Sequence, residues 1–373
     1  MRNQSRRRST VLLLSFLAIA WASSSKVQFI SLRNTGEGGR GSGTSRPPAL
    51  LPNGNVLIVN GSGSAEIYNA RTRTFSRAGS FPVNMLSGAT AVGLLDGRAL
   101  VSGGGNSNVD VRNLMLIWNP QSLTFRQVTG MIAGRRGHAI IQLDANTLLI
   151  VGGEGSPDTW ETYDIGKERP LVTGALPLSL NTVITLEHPS GKVVFISGSH
   201  GVSFDRATFS FAPAHGMPEE LAGGGAIDML TDGRILVTGG IRNGGPGLRG
   251  LTSAVIFDPI TGSKEVVSPM LNARFWHAVT TLPSGKVLVT GGADDCVGWC
   301  KPVVAPAEVF DPFSKTFSAI ESMNFPRLSH VPVRLTSGDI LLVGGDNGTD
   351  NVPAPELYVR EGSGPPRRRA VRH

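Results

Sequence analysis

Gly233-Arg234-Ile235-Leu236-Val237-Thr238-Gly239-Gly240 returns, barely altered, as Gly285-Lys286-Val287-Leu288-Val289-Thr290-Gly291-Gly292. Weaker copies end at Gly61, Gly104, Gly153, Gly198 and Gly345, and successive end-points lie 43, 49, 45, 42, 52 and 53 residues apart. That is the length of a four-stranded propeller blade, and the units are strand-like and punctuated by glycine.

Reading outward, each copy holds an apolar strand, a glycine turn, the β-branched strand ending in Gly-Gly, a variable loop, and an aromatic-Asx strand. Leu94-Leu95-Asp96-Gly97-Arg98 and Leu282-Pro283-Ser284-Gly285-Lys286 are the turns, with Gly where positive φ is needed. Val-Leu-Val runs without polar alternation, as expected of a strand covered on both faces. The Gly pair permits close backbone approach. The third strand carries Tyr68, Trp118, Tyr163, Phe257 and Phe310, and Thr-x-Thr-Phe (residues 72 to 75) opens the outer strand. The pattern predicts an all-β, seven-bladed β-propeller of four-stranded antiparallel blades over residues 26–362. Copy four has lost one Gly of its pair (Gly198-Ser199), which predicts a minimal loop and a distorted third strand. Copy seven ends near Val359 without an outer strand. The segment 26–32 resembles one, so it is expected to complete the last blade and close the ring.

These residues resemble the kelch repeat in its bacterial form, also seen in the propeller domain of galactose oxidase-like proteins. The resemblance rests on Arg-x-x-His, Gly-Lys-Val-Leu-Val-x-Gly-Gly and Ala-Glu-x-Phe-Asp-Pro, and spans nearly all of residues 26 to 362. It implies that ligands sit at the channel mouth. It also raises copper radical chemistry, which in that family needs a tyrosine cross-linked to cysteine, a second tyrosine and two histidines. Here Tyr68, Tyr163 and Tyr358 are the only tyrosines, and all occupy the third strand of the repeat. No cofactor, and no metal, is therefore expected.

Gly (48 residues) and Pro (24) are abundant and charged residues make up only 17%, a composition of short strands and tight turns. Arg2, Arg6, Arg7 and Arg8 precede an apolar run from Val11 to Ala20 and a small-residue site at Ala20-Trp21-Ala22. Residues 1–22 thus read as a signal peptide, with an uncleaved membrane anchor as the alternative. The expected location is secreted, periplasmic or cell-surface. Residues 363–373 read as a basic disordered tail. Eight of the 35 basic residues lie in these two ends, which hold no acid, so the body facing 28 acids is near neutral. The net charge of +7 therefore gives no ground for a nucleic-acid partner.

Candidate ligand-binding residues are Arg135, Arg136, Arg274, His277, Trp299 and Arg327. The arginines occupy the blade-joining position; they either brace adjacent blades or hold an acidic ligand. His138, His277 and His330 recur with the module, which points to structure more than to metal. Cys296 and Cys300, the only cysteines, are a candidate disulfide stiffening a long loop, with zinc the weaker alternative. Trp299 between them either stacks on a ligand or folds back over its blade. Asp346 to Asp350 is oxygen-rich but lacks the alternation of an EF-hand, so a polar turn is the default. The long loops after the Gly pairs of copies five, six and seven are the expected binding surface. The sum predicts an exported, non-catalytic module recognising a protein or glycan at the loop face. The alternative is a propeller enzyme acting on carbohydrate (lyase, epimerase or mutarotase type), with Arg274, His277 and Arg327 at its centre.

Overall fold

The computed structural model describes residues 28–33, 48–59, 63–80, 87–107, 110–215, 217, 223–242, 247–297, 299–300, 303–348, 352 and 354–359. The expectations for the leader at 1–22, the tail at 363–373, Lys26, Val27 and Gly61 lie outside them. No α-helix occurs among these residues, and their strands form eight four-stranded antiparallel sheets and one of two strands. Seven of the eight follow one plan, in the order of the repeat. The sixth illustrates it: Ala278–Thr281 is innermost, then Val287–Thr290, Glu308–Asp311 and Thr316–Ala319.

Packing explains why the second strand is apolar throughout. Val287 and Val289 share a core with Leu236 and Ile256 of the fifth sheet, while Leu288 packs with Ile340 and Leu342 of the seventh. Both faces are thus covered, and each fully buried Val or Leu contributes about 1.5–3 kcal/mol. Val56, Ile58 and Tyr68 of the first sheet share a core with Leu341, Val343 and Leu357 of the last. Strand Gln28–Ser31 pairs antiparallel with Glu356–Val359, Gln28 opposite Val359 and Ser31 opposite Glu356. The fold is a β-propeller.

The fourth sheet departs from expectation. Its third strand, His200–Asp205, is regular: it pairs from Ser197↔His200 to Val193↔Phe204 and then with Ser210–Pro213 without a register shift. A tight turn at Gly198 (φ +55°) replaces the missing loop, so shortening the connection leaves the hairpin intact. Irregular register falls instead in the first sheet at Ser64/Glu66 and in the third at Glu161/Tyr163.

Candidate functional site

The segments that join one sheet to the next run beside the loops after the Gly pairs, through the bridges Ser87↔Gly105, Arg136↔Glu154, Phe275↔Ala293 and Leu328↔Asp346. Both sets of loops therefore share one face. At its centre the backbones are stitched together around the axis. The Gly137 N–H donates to the Gly88 carbonyl (2.7 Å), Val183 to Gly137 (2.7 Å), Trp276 to Gly224 (2.9 Å) and Ser329 to Trp276 (2.8 Å). This rim encloses the mouth of an axial cavity of about 920 Å³, walled by innermost strands and by residues such as Thr90, Arg136, Glu154 and Thr182.

Arg135, Arg274 and Arg327 are fully buried and do not face that cavity. Arg274 donates from Nη1 to the Gly291 carbonyl (2.8 Å) and from Nη2 to Pro306 O (2.6 Å) and Glu308 Oε1 (2.8 Å). Arg327 repeats the arrangement with Gly344 O, Ala354 O and Glu356 Oε1. Arg135 does so with Gly152 O, Thr159 and Glu161 Oε1. The carboxylates reach back to the incoming chain, Glu308 accepting from the N–H groups of Leu271 (2.7 Å) and Asn272 (3.0 Å). Burial pulls the guanidinium pKa of Arg274 and Arg327 down, opposed by their glutamates. As ligand-binding candidates these three are corrected: a guanidinium buried under its own blade-joining loop braces that loop and is out of a ligand's reach. Arg136 differs, being partly exposed at the cavity and paired with Glu154 at 2.6 Å.

The three histidines are clamps between sheets. His277 Nε2 lies 2.7 Å from Thr238 Oγ1, His330 Nε2 2.9 Å from Thr290 Oγ1, and His138 Nε2 2.8 Å from Ser102 Oγ. Each thus reaches the end of the preceding sheet's second strand. Burial, aided by the neighbouring arginine charge, lowers His138 and His277 to about 3 and drives His330 well below its ordinary value. The rings are neutral, and their Nδ1 atoms are buried without partners. The Gly pair makes room for them. A Cβ on Gly291 (φ +65°) would stand 2.1 Å from the Arg327 carbonyl and 2.7 Å from His330 Cε1. No group of three metal-ligating side chains occurs among the described residues.

What breaks the repeat is the eighth four-stranded sheet. The long loops of the fifth and sixth sheets pair with each other above the rim: Ile241–Arg242 with Leu248–Gly250, then Asp295–Val297, then Trp299–Cys300. Arg249 stands opposite Asp295 and Cys296 opposite Cys300. Cys296 is disulfide-bonded, and Cys300 is the one other cysteine. Beneath it Phe275, Ala293, Cys296 and Leu328 form a small core of their own, joined by Ile241, Leu248 and Val303. The side chain of Trp299 lies outside the described residues. Asp346 accepts the Gly348 N–H at 2.9 Å, an Asx turn.

One exposed aromatic escaped the sequence reading. Trp276 is 39% exposed on the rim and adopts φ +53°, where the equivalent Gly88 and Gly137 have φ of +70° and +63°. The signal was present as a tryptophan where other copies carry Gly, Ser or Val.

No protein-family model matches the chain, and no curated protein does either. Among solved structures, the chain is similar to a fungal alcohol oxidase of the AA5 family in complex with copper, at 17% identity and a TM-score of 0.67, covering 90% of this chain and 76% of that one. It is similar also to YjhT, at 13% identity and a TM-score of 0.57, covering 78% of this chain and 99% of that one. At these identities the likeness is one of fold: an all-β propeller of the galactose oxidase-like kind.

Proposed function

We propose that this chain is an exported, seven-bladed propeller of the kelch kind that binds a protein or glycan at its loop face without catalysis. Seven sheets on one plan support the blade count. Pairing of Gln28–Ser31 with Glu356–Val359, together with the core shared by the first and last sheets, supports closure of the ring by the N-terminal strand. The basic residues Arg2 to Arg8 and the apolar run Val11 to Ala20, read as a signal peptide, support export.

The observation that carries the binding reading is the extra sheet over the fifth and sixth blades. It lies outside the four-stranded plan of the blades, is cross-linked at Cys296, and rests on a core that includes Phe275 and Leu328 of the blade-joining segments. A rigid scaffold presenting a stiffened, irregular rim is the arrangement by which loops carry recognition. Of the residues on which carbohydrate chemistry would rest, Arg274 and Arg327 are buried away from the axial cavity, while His277 lines it without them, its Nε2 engaged by Thr238. Copper radical chemistry also fits poorly. Tyr68, Tyr163 and Tyr358 are buried within blades, and Tyr163 gives its hydroxyl proton to the Thr129 carbonyl at 2.8 Å. Cys296 is already disulfide-bonded, so it has no thiol for a tyrosine cross-link.

A glycan and peptide array probed with the purified protein tests the reading. Specific hits are expected, and they should vanish when residues 294–301 are replaced by a short Gly-Ser turn. Absence of any hit, or hits indifferent to that replacement, contradicts it.

A further inference from the structure

We infer that Trp276 is the anchor of this binding face and that it stacks against a ring of a neutral saccharide; this rests on the binding reading above. Every L-residue other than glycine is crowded at positive φ, and a bulky aromatic most of all. On the rim Gly88, Gly137, Gly224, Ser329 and Trp276 adopt it, whereas Val183 holds the same place in the ladder without it. Glycine would serve the backbone best at position 276, so the fold alone gives no reason for tryptophan there. The same conformation at Arg73, Leu123, Glu168, Phe209 and Lys315 belongs to the turns before the outer strands, so what sets Trp276 apart is its place on the rim.

The indole has a built seat. A Cβ on Gly224 would stand 3.0 Å from both Trp276 Cδ1 and Nε1, so the pyrrole edge packs closely over this glycine. Phe275 meets the ring edge-on at a centroid distance of 5.1 Å and an interplanar angle of 76°. The backbone is fixed on both sides by the rim bonds to Gly224 and Ser329. The ring is therefore preorganised while 39% of the residue stays exposed. Its Nε1–H makes no hydrogen bond to the described protein, so an apolar surface and a free donor stand side by side.

Ligand chemistry follows from that pair and from the charges nearby. A pyranose offers a face of C–H groups to an aromatic ring and hydroxyl acceptors at its edge. On the rim Arg136 pairs with Glu154, and Arg249 with Asp295 at 3.6 Å, while Arg242 stands exposed beside Arg249. An indole face with one donor at its edge asks for a C–H face and a hydroxyl acceptor, not for a charge, which favours a neutral sugar. A protein ligand would ask for a broader apolar patch than one indole.

The test uses neutral hexasaccharides of glucose, mannose and galactose, titrated calorimetrically into the purified protein, into Trp276→Gly and into Trp276→Phe. At least one should bind the parent protein. Trp276→Gly should weaken that binding at least tenfold while melting within about 5 °C of the parent, since glycine suits the backbone. Trp276→Phe, which keeps a ring and loses the donor, should fall between. Hydroxyl-radical footprinting of the unmodified protein should show Trp276 protected by the bound saccharide, a readout that a purely structural role does not move. Equal affinity in Trp276→Gly, or an unprotected Trp276, overturns the inference. Failure of all the saccharides beside specific peptide hits on the array overturns it too, while leaving the binding reading standing. Failure of both saccharides and peptides removes that reading as well.

Discussion

His277 reaches across a blade boundary to place Nε2 2.7 Å from Thr238 Oγ1, and its ring fills the space that Gly239 leaves by having no Cβ. One hydrogen bond and one missing methyl group thus join the fifth and sixth sheets. The same device recurs as His138 with Ser102 and His330 with Thr290.

The histidine clamps make stability depend on pH. His138 and His277 have folded pKa values near 3, below the ordinary value of about 6.5 in the unfolded chain. Their contribution is therefore complete above about pH 6.5 and is lost as pH falls toward 3, because only the unfolded chain takes up the protons. Each should cost about 1.4 kcal/mol per pH unit once well below pH 6.5. Denaturant midpoints measured at pH 7.5 and 5 should fall accordingly, and His277→Gln should flatten the slope.

Glycine positions should separate by what surrounds them. Gly291→Ala drives a Cβ into the Arg327 carbonyl at 2.1 Å, so backbone must move and the loss should exceed about 3 kcal/mol. Gly97→Ala meets nothing within 4 Å at φ +89°, and only the conformational cost of about 1–2 kcal/mol remains. Equal losses in denaturant titrations would show that the close approach at Gly291 has been misread.

The arginines should divide in the same way. Arg274→Met strands Glu308 in a site where both side chains are fully buried, at a cost of about 3–5 kcal/mol. Arg136→Met breaks a partly exposed pair and should cost under about 1 kcal/mol. Thermal melts of the two variants, run side by side, check the contrast.

Removing Gln28–Ser31 leaves Glu356–Val359 as an unpaired edge and uncovers Tyr358, which meets Phe29 at a centroid distance of 5.3 Å. The melting temperature should drop by at least about 5 °C. An unchanged melt would mean that the ring does not depend on its N-terminal strand.

The blades were legible because each is a local event: a glycine turn, an apolar run and a Gly pair, all within one period. Arg274 and His277 were visible as repeating residues, but their partners Glu308 and Thr238 lie 34 and 39 residues away, so burial could not be told from exposure. The eighth sheet was invisible for a different reason. Leu248 pairs with Cys296 across two separate loops, neither of which carries the alternation of a strand. Trp276 stands at one of the variable positions inside Arg-x-x-His, where the repeat itself carries no signal. Those positions are where one blade can differ from the next without harming either.

Hydrogen–deuterium exchange on the protein with and without an array-selected ligand tests the division between a repeat that builds the fold and a rim that binds. Protection is expected over residues 241–250, around 276 and over 293–300. Protection confined to the turns at 94–98 and 282–286 on the opposite face, with the rim unchanged, would contradict it.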